Sequence, residues 1–343
     1  MMRVYKLLFL AVALMVGGFF SSIGVPAGWL LGGLLTGIFY GLFIRAFDFS
    51  GWPFQMALAM VGINIGIIME SDLFQQLTHY LFPLFITLVL TLLTGLLLGI
   101  FLDRWTDLDR RTAFFCTIPG GASEVIAISS DYGADQRIVA SFHTARITMF
   151  VLIIPFGIGM VYGQGNMDMP SEALLIPTTL QISFFAIIIL GSYVLNRLIS
   201  FPGGILIYSI AFGFLGSEFV VNIGEVPGYV SGIGQGLIGA MVGIRFERST
   251  VVRLKSIGFA SLKVLGLYLL CSLGIAVLFF WLTPLSYLTS LLSTVPAGAA
   301  EMASTAVALQ IEPTLVASLH IIRVISIFIV LPFLFRWLMK DRS

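Results

Sequence analysis

The sequence predicts an all-α polytopic membrane protein made of two inverted repeats, each with five transmembrane helices and one re-entrant helical hairpin. Three observations lead to this prediction. The chain is very apolar, a long segment of its first half recurs in its second half, and the basic residues are distributed unevenly between the loops. The first repeat is expected at residues 1–162 and the second, inverted repeat at residues 172–343.

The composition defines the class of protein. Hydrophobic residues make up 58% of the 343 residues and charged residues only 10%, with a mean hydropathy of +1.04. A soluble domain needs far more charge to cover its surface. Apolar runs of roughly 20 residues, the length that crosses a bilayer, recur throughout and do not alternate, which favours helices over a β-barrel. The net charge of +1 offers no basic surface to nucleic acid.

The internal repeat is the most specific signal. Residues 117–156 align with residues 294–333 without a gap. Both copies contain a Thr-x-Pro-x-Gly segment, a glutamate three residues after its glycine, and a Ser-x-His-x-x-Arg helix. The same offset pairs Gly62 with Gly239. Because chance does not produce such a match, the chain is interpreted as a tandem duplication joined by the polar stretch 162–174.

Each repeat contains five apolar stretches of helical length and a sixth segment that proline and glycine interrupt. The interruptions lie at Pro119–Gly121 and Pro296–Gly298, inside the segments 112–130 and 289–309. The predicted continuous helices cover residues 5–22, 25–44, 54–69, 79–102, 137–161, 174–195, 203–217, 228–244, 257–281 and 314–337.

The distribution of Lys and Arg decides whether the interrupted segments cross the membrane. If both turn back within it and the N-terminus is cytoplasmic, the basic loops 103–111 and 245–256 and both termini lie inside. The external loops then carry carboxylates and no Lys or Arg. If both crossed, Arg197 and the second basic loop would lie outside. Five crossings are an odd number, so the second repeat is expected upside down in a bacterial cytoplasmic (inner) membrane, as in secondary transporters.

The candidate site residues lie at the interruptions and on the helix that follows each one. The N–H groups of Gly120, Gly121 and Gly298 stand at a helix start, which favours an anion or a carboxylate. This pattern predicts a substrate or ion site; the alternative is a tightly packed turn whose glutamate caps its own helix. The predicted set is Pro119, Gly120, Gly121, Ser123, Glu124, His143, Arg146, Pro296, Gly298, Glu301, His320 and Arg323.

The arginines of this set are predicted near the centre of the bilayer. His143 and Arg146 are three residues apart and share a helix face, and the second repeat copies this spacing. A charge at that depth costs on the order of 3 kcal/mol or more, so it must face the interior and be paired. The expected partner is Glu124 or Glu301. Two roles remain open, a structural lock between hairpin and helix and the handling of substrate or protons.

Other chemistries lack the necessary residues. Each repeat offers one histidine and one glutamate to a shared site, too few for a metal centre. No phosphate-binding loop, nucleophile elbow or dinucleotide motif occurs. The sequence therefore predicts no metal, no cofactor and no enzymatic activity. Cys116 and Cys271 lie in apolar stretches and are interpreted as buried thiols.

At these motifs the chain resembles the AbrB-type duplicated membrane protein family of bacteria, which is unrelated to the soluble DNA-binding regulator of that name. The resemblance spans the chain and rests on the TxPGGxSE and TxPAGxxE segments and on the VASxHxxRI and VASLHIIRV helices. It implies an inner-membrane protein usually described as a transporter, although some members are labelled regulators of gene expression or ammonia monooxygenase. The few histidines argue against an oxygenase. Ala297 and Ala300 replace Gly120 and Ser123 in the second copy, so the hairpins need not be equivalent.

Together these features predict a secondary transporter of a small, anionic organic solute, coupled to H⁺ or Na⁺. Its glutamates would carry the coupling ion, and its arginines and hairpin N–H groups would hold the anion. The alternative is a membrane sensor that binds a small molecule and affects gene expression. The short cytoplasmic loops favour transport, because a sensor usually needs an output domain. The sequence leaves the substrate, the coupling ion and the formation of a homodimer open.

Overall fold

The structure is a computed structural model that describes residues 2–49, 51–162, 179–201, 203–220 and 227–339. In these ranges every regular element is an α-helix and no β-strand occurs, as the sequence predicts. The helices are α1 Met2–Ser22, α2 Gly28–Phe43, α3 Trp52–Ile67, α4 Leu73–Trp105, α5 Arg110–Thr117, α6 Ala122–Asp131, α7 Gln136–Tyr162, α8 Thr179–Leu198, α9 Gly204–Phe219, α10 Gly228–Gly243, α11 Arg248–Ile257, α12 Phe259–Leu282, α13 Tyr287–Thr294, α14 Ala299–Ala308 and α15 Pro313–Met339.

The protein is a multi-pass helical membrane protein. Among the described residues, six helices are long and apolar enough to cross a bilayer, namely α1, α4, α7, α8, α12 and α15. The helices α2, α3, α9 and α10 have 16 residues each. That length corresponds to about 24 Å, which is shorter than a hydrocarbon layer of roughly 30 Å. The number of ten crossings therefore stays a prediction.

The predicted continuous helices are all present, with one addition. The predicted start at residue 174 and the linker between the repeats lie outside the described residues. The addition is α11, because the sequence predicts a loop over 245–256. Val251, Leu254 and Ile257 recur every three residues in α11 and so share one face. The basic residues of this stretch are its clearest sequence feature and indicate a loop, so the apolar face of α11 is not recognised as part of a helix.

The two interrupted segments have the same boundaries in both copies. The bounds of α13, α14 and α15 coincide with those of α5, α6 and α7 when the two repeats are aligned. The helix stops at Ile118 and Val295, where ψ is 129° and 132°. Both residues precede a proline, which disfavours helical backbone at its predecessor. Sequence therefore fixes where each segment breaks.

The chain divides into two compact units, and each unit draws on both repeats. The repeats 1–162 and 172–343 stay a prediction from the sequence, whereas the two units describe how the chain packs. The first unit comprises Met1–Phe74, Thr148–Arg248 and Ala300–Ala317, and the second unit comprises Gln75–Ile147, Ser249–Ala299 and Ser318–Ser343.

Within the first unit, α2 and α10 touch through glycines. A Cβ atom on Gly33 would collide with the carbonyl oxygen of Gly236, and one on Gly37 would collide with that of Ala240. These glycines allow the two backbones to approach closely, as small residues do between membrane helices. Because the residue numbers rise together on both helices, α2 and α10 run parallel.

The helices α3 and α9 of the first unit pack in the same way. A Cβ atom on Gly62 would lie 2.8 Å from the carbonyl oxygen of Leu206, and one on Gly66 would collide with that of Ile210. These two helices are therefore also parallel. By sequence, α9 is the copy of α2 and α10 is the copy of α3. In both of these pairs, α2 with α10 and α3 with α9, a helix of one repeat packs on a helix of the other repeat that is not its copy.

The copies α3 and α10 run antiparallel to each other. A Cβ atom on Gly234, in the middle of α10, would lie 3.1 Å from the Cβ of Met60 in α3. The guanidinium of Arg245, just beyond the end of α10, lies 4.9 Å from the ring centroid of Phe54 near the start of α3. The residue number therefore rises along one helix as it falls along the other.

Replacing Gly33 by alanine is expected to lower the stability of the protein by about 1–3 kcal/mol, because the added methyl group forces α2 away from α10. Gly266→Ala in α12 is the matched control, since its Cβ would meet nothing within 4 Å. That control should be neutral or slightly stabilising, because alanine favours helix more than glycine does. Thermal unfolding in detergent compares the variants, and equal midpoints would contradict the close contact.

Candidate functional site

The first broken segment, residues 110–131, returns to the place where it begins. Arg111 Nη1 donates to the carbonyl oxygen of Tyr132 at 3.1 Å, and the backbone N–H of Asp135 donates to Thr112 Oγ1 at 2.8 Å. These bonds join the start of α5 to the residues that follow α6. The Asp109 carboxylate caps α5 by accepting from the N–H of Thr112 at 2.9 Å. The two arms therefore form a hairpin that is closed at its base.

The end of α5 is held by two side chains of α7. His143 and Arg146 are 0% and 1% exposed. His143 Nε2 lies 2.9 Å from the carbonyl oxygen of Phe115, and Arg146 Nη1 donates to that of Ile118 at 3.2 Å. Arg146 Nη2 lies 3.1 Å from His143 Nδ1. The carbonyls at a helix end have no partner inside the helix, and this arginine–histidine cap supplies partners to two of them.

The second repeat builds the same arginine–histidine cap from α15 onto the end of α13. His320 Nε2 lies 2.5 Å from the carbonyl oxygen of Leu292, and Arg323 Nη1 donates to that of Val295 at 2.6 Å. Arg323 Nη2 donates to the Ala297 carbonyl at 3.3 Å and lies 2.8 Å from His320 Nδ1. Leu292 and Val295 align with the two carbonyl partners of the first copy. All of these residues belong to the second unit.

The hydrogen-bond roles determine the protonation of both histidines. A carbonyl oxygen only accepts, so the Nε2 atoms of His143 and His320 must carry hydrogen. A guanidinium only donates, so both Nδ1 atoms must accept. Each histidine is therefore neutral, and each cap carries the single positive charge of its arginine. That charge faces the negative end of the helix dipole of α5 or α13, a favourable arrangement.

The described partners of the two arginines differ from the predicted ones. The sequence predicts Glu124 or Glu301 as partner, whereas the described hydrogen bonds of Arg146 and Arg323 go to backbone carbonyls and to histidine. Arg146 also interacts with the side chain of Tyr268. The side chains of Ser123 and Glu124 lie outside the described residues, so a role for them stays a prediction. Sequence patterns miss the carbonyl partners because every residue has a carbonyl group.

Glu301 belongs to the first unit and is described within it. Its side chain is 7% exposed and lies in the first turn of α14. Arg245 of the same unit is near enough to interact with it electrostatically. A carboxylate in the first turn of a helix is stabilised by the helix dipole. The structure thus keeps this predicted site residue buried, at a helix start.

The interruption in the first segment is closely packed. A Cβ atom on Gly120 would lie 2.7 Å from Val125 Cγ2 and 3.3 Å from Leu331 Cδ1. Pro119 lies against α4, where a Cβ atom on Gly95 would be 2.7 Å from Pro119 Cδ. This packing explains the need for glycine at 120. Of the remaining predicted site residues, Gly121 is the N-cap of α6, Pro296 is buried and Gly298 is partly buried.

Tyr268 of α12 is a site residue that sequence reasoning missed. It is 0% exposed, and the guanidinium carbon of Arg146 lies 5.2 Å from its ring centroid. Tyr268 also interacts electrostatically with Arg323. The equivalent position of the first repeat is Thr91, so comparison of the two repeats gives no sign of it. A lone tyrosine in an apolar run carries no other signal.

The two cysteines differ in their exposure. Cys116 is buried, but Cys271 is exposed on α12, which corrects the prediction of two buried thiols. The side of the helix on which a cysteine lies decides whether its thiol is buried, and the hydropathy of the surrounding sequence does not show that side. Within the described part of the chain, no group of three or more His, Cys, Asp or Glu side chains is placed to hold a metal ion. The absence of a metal, a cofactor and an enzymatic activity stays a prediction.

The chain is similar to known proteins along nearly its full length. A family model described as "Transition state regulatory protein AbrB" matches residues 29–339. "Uncharacterized protein YhjN" of Bacillus subtilis (strain 168) is 28% identical over an alignment 357 positions long. The alignment covers 96% of this chain and 92% of that protein. "Putative regulator AbrB" of Escherichia coli (strain K12) is 24% identical over 335 residues, covering 96% and 94%. No solved structure matches the chain.

Arg323→Leu is expected to destabilise the protein by about 2–4 kcal/mol, because it leaves buried carbonyls at the end of α13 without a donor. The matched control is Arg111→Leu, since Arg111 is exposed and water can replace its bond to Tyr132. That change should stay within about 0.5 kcal/mol. Thermal unfolding in detergent is the measurement. Equal losses in the two variants would show that the cap of α13 does not stabilise the fold.

Proposed function

The chain belongs to the AbrB family, and on this premise we propose that it is a secondary transporter of a small anionic organic solute across the cytoplasmic membrane. The observation that carries this proposal is the matched pair of arginine–histidine caps. Each cap secures a helix that stops inside an apolar protein. Broken helices at equivalent positions of two repeats are a feature of secondary transporters, whose substrate sites they form.

The proposed topology is inverted, with both broken segments re-entrant and both termini cytoplasmic. The antiparallel course of α3 and α10, which are copies of each other, supports inversion of the repeats. The closed base of residues 110–131 supports re-entrance, because its two ends lie at one level. An inner membrane and a cytoplasmic N-terminus follow from the positions of Lys and Arg in the sequence.

The anionic character of the solute follows from the charge of the caps. Carbonyl dipoles solvate Arg146 and Arg323, but they do not cancel the two formal positive charges. Both charges lie in the second unit, are buried, and interact electrostatically with each other. An anion at this place would be strongly attracted, because water does not screen charges there. In the proposed mechanism Glu124 and Glu301 carry the coupling H⁺ or Na⁺.

A second candidate is a membrane sensor that binds the same solute and affects gene expression. The observation that favours it is the wording of the family description and of the Escherichia coli relative, both of which name a regulator. Sensing requires binding without sustained flux. One measurement therefore distinguishes the two functions: a transporter accumulates solute inside vesicles, and a sensor does not. A homodimer is compatible with either function.

The proposed topology predicts opposite accessibility for two exposed positions. In a Cys271→Ser background, Arg197→Cys should react with a membrane-impermeant thiol reagent only after the cells are opened. Glu70→Cys should react in intact spheroplasts, because its loop is expected on the external side. Labelling of Arg197→Cys from outside would contradict the inverted arrangement of the repeats.

The proposed coupling predicts a selective defect for Glu301→Gln. In proteoliposomes, this variant should lose uptake driven by an imposed proton or sodium gradient but retain exchange of solute across the membrane. The reason is that an amide of the same shape neither takes up a proton nor neutralises a cation. Glu70→Gln is the matched control, since Glu70 is exposed, and should behave like the natural protein. Gradient-driven uptake that persists in Glu301→Gln would remove this carboxylate from the mechanism.

A further inference from the structure

The second broken segment carries buried hydroxyl groups that the first lacks. Ser290 and Ser293 lie on α13, and both are 0% exposed. The equivalent positions on α5 are Ala113 and Cys116. Because Ser290 and Ser293 are three residues apart, their side chains share one face of α13. The first arm of the second segment therefore carries two more buried hydroxyl groups than the first arm of the first segment.

Neither of these hydroxyl groups has a hydrogen-bond partner among the described residues. Other hydroxyl groups of the same unit bond to their own helix. Thr294 Oγ1 donates to the carbonyl of Ser290 at 2.8 Å, and Ser272 Oγ donates to that of Tyr268 at 2.7 Å. Buried polar groups normally have a partner in the protein or in a ligand. The free hydroxyls of α13 thus point to a bound group.

Arg146 contributes a third group of this kind. Its Nη1 and Nη2 atoms serve the cap on α5, but its buried Nε has no partner within the described part of the chain. The guanidinium lies against the ring of Tyr268, and the helix that carries this tyrosine packs on α13. Arg323 Nη1 lies 3.5 Å from the carbonyl oxygen of Ser293 and interacts electrostatically with both Arg146 and Tyr268. The arginines, the tyrosine and the polar face of α13 therefore form one neighbourhood.

We propose that Ser290, Ser293 and the Nε–H of Arg146 bind a carboxylate group of a small organic solute. All three groups donate hydrogen bonds, and the two guanidinium charges repel a metal ion. Hydrogen bonds from charged and hydroxyl donors to an anion are short and strong. The proposal rests on the proposed transport function, since it names the residues that recognise the solute. It also makes the site asymmetric, because only the second repeat provides the hydroxyls.

The test uses a variant that copies the first segment, Ser290→Ala combined with Ser293→Cys. Both new residues occupy the equivalent positions of α5, so the helix is expected to accept them. Ser272→Ala is the matched control, because its hydroxyl is buried in the same unit and is already bonded to its own helix. Where the double variant does not fold, Ser293→Cys alone takes its place.

The measurement is thermal stabilisation of the full-length protein in detergent by sodium salts of linear mono- and dicarboxylates of two to six carbons, at constant ionic strength. At least one carboxylate should stabilise the natural protein in a saturable way. Its affinity should fall about tenfold or more in the double variant, because two donors to a charged group are lost, and stay unchanged in Ser272→Ala. Unchanged affinity in the double variant would overturn the proposal. Stabilisation by none of the carboxylates, or by sulfate or phosphate alone, would overturn it as well.

The result separates this inference from the transport proposal. Carboxylate binding that depends on the two serines, without any flux in proteoliposomes, would support the site and reject transport. Flux of a carboxylate that is equal in the natural protein and in the double variant would support transport and reject the site.

Discussion

The last carbonyl groups of a helix have no partner inside it, and hydrocarbon provides no water to replace one. This chain ends two helices, α5 and α13, inside apolar protein, and it meets that constraint twice with the same device. A histidine and an arginine, one helical turn apart, lie on the next long helix and donate to carbonyls at the helix end. The interrupted segments depend on these caps, since the breaks at Pro119 and Pro296 would otherwise leave buried acceptors unsatisfied.

The caps have a consequence beyond stability, because they bring two positive charges into a dry environment. Dipoles stabilise the charges without neutralising them, so the neighbourhood remains electrostatically receptive to an anion. A structural lock and a solute site are therefore compatible roles for one group of residues. Arg146 Nη1 donates to the helix end and Nη2 to His143, while its Nε has no hydrogen-bond partner among the described residues. This division of one guanidinium between two tasks links the fold to the proposed function.

The two units are stabilised by different kinds of contact. The first unit brings parallel helices into backbone contact through glycines, as small residues do between membrane helices. The second unit contains the polar network and the breaks. The two caps match each other, but the proposed binding of one solute requires a single defined site. Tyr268, Ser290 and Ser293 break the symmetry between the repeats at the place where such a site would lie.

The sequence by itself determined the class of protein, the duplication, the breaks and the identity of the buried histidines and arginines. These features follow from local properties: hydropathy, the missing N–H of proline and the recurrence of a motif. The tertiary structure decided what sequence letters do not encode. It showed that the arginines bond to backbone carbonyls, which every residue possesses, and it brought Tyr268 from a distant helix against Arg146. It also turned a basic loop into α11 and distributed both repeats over two units, because such arrangements depend on long-range packing between helices.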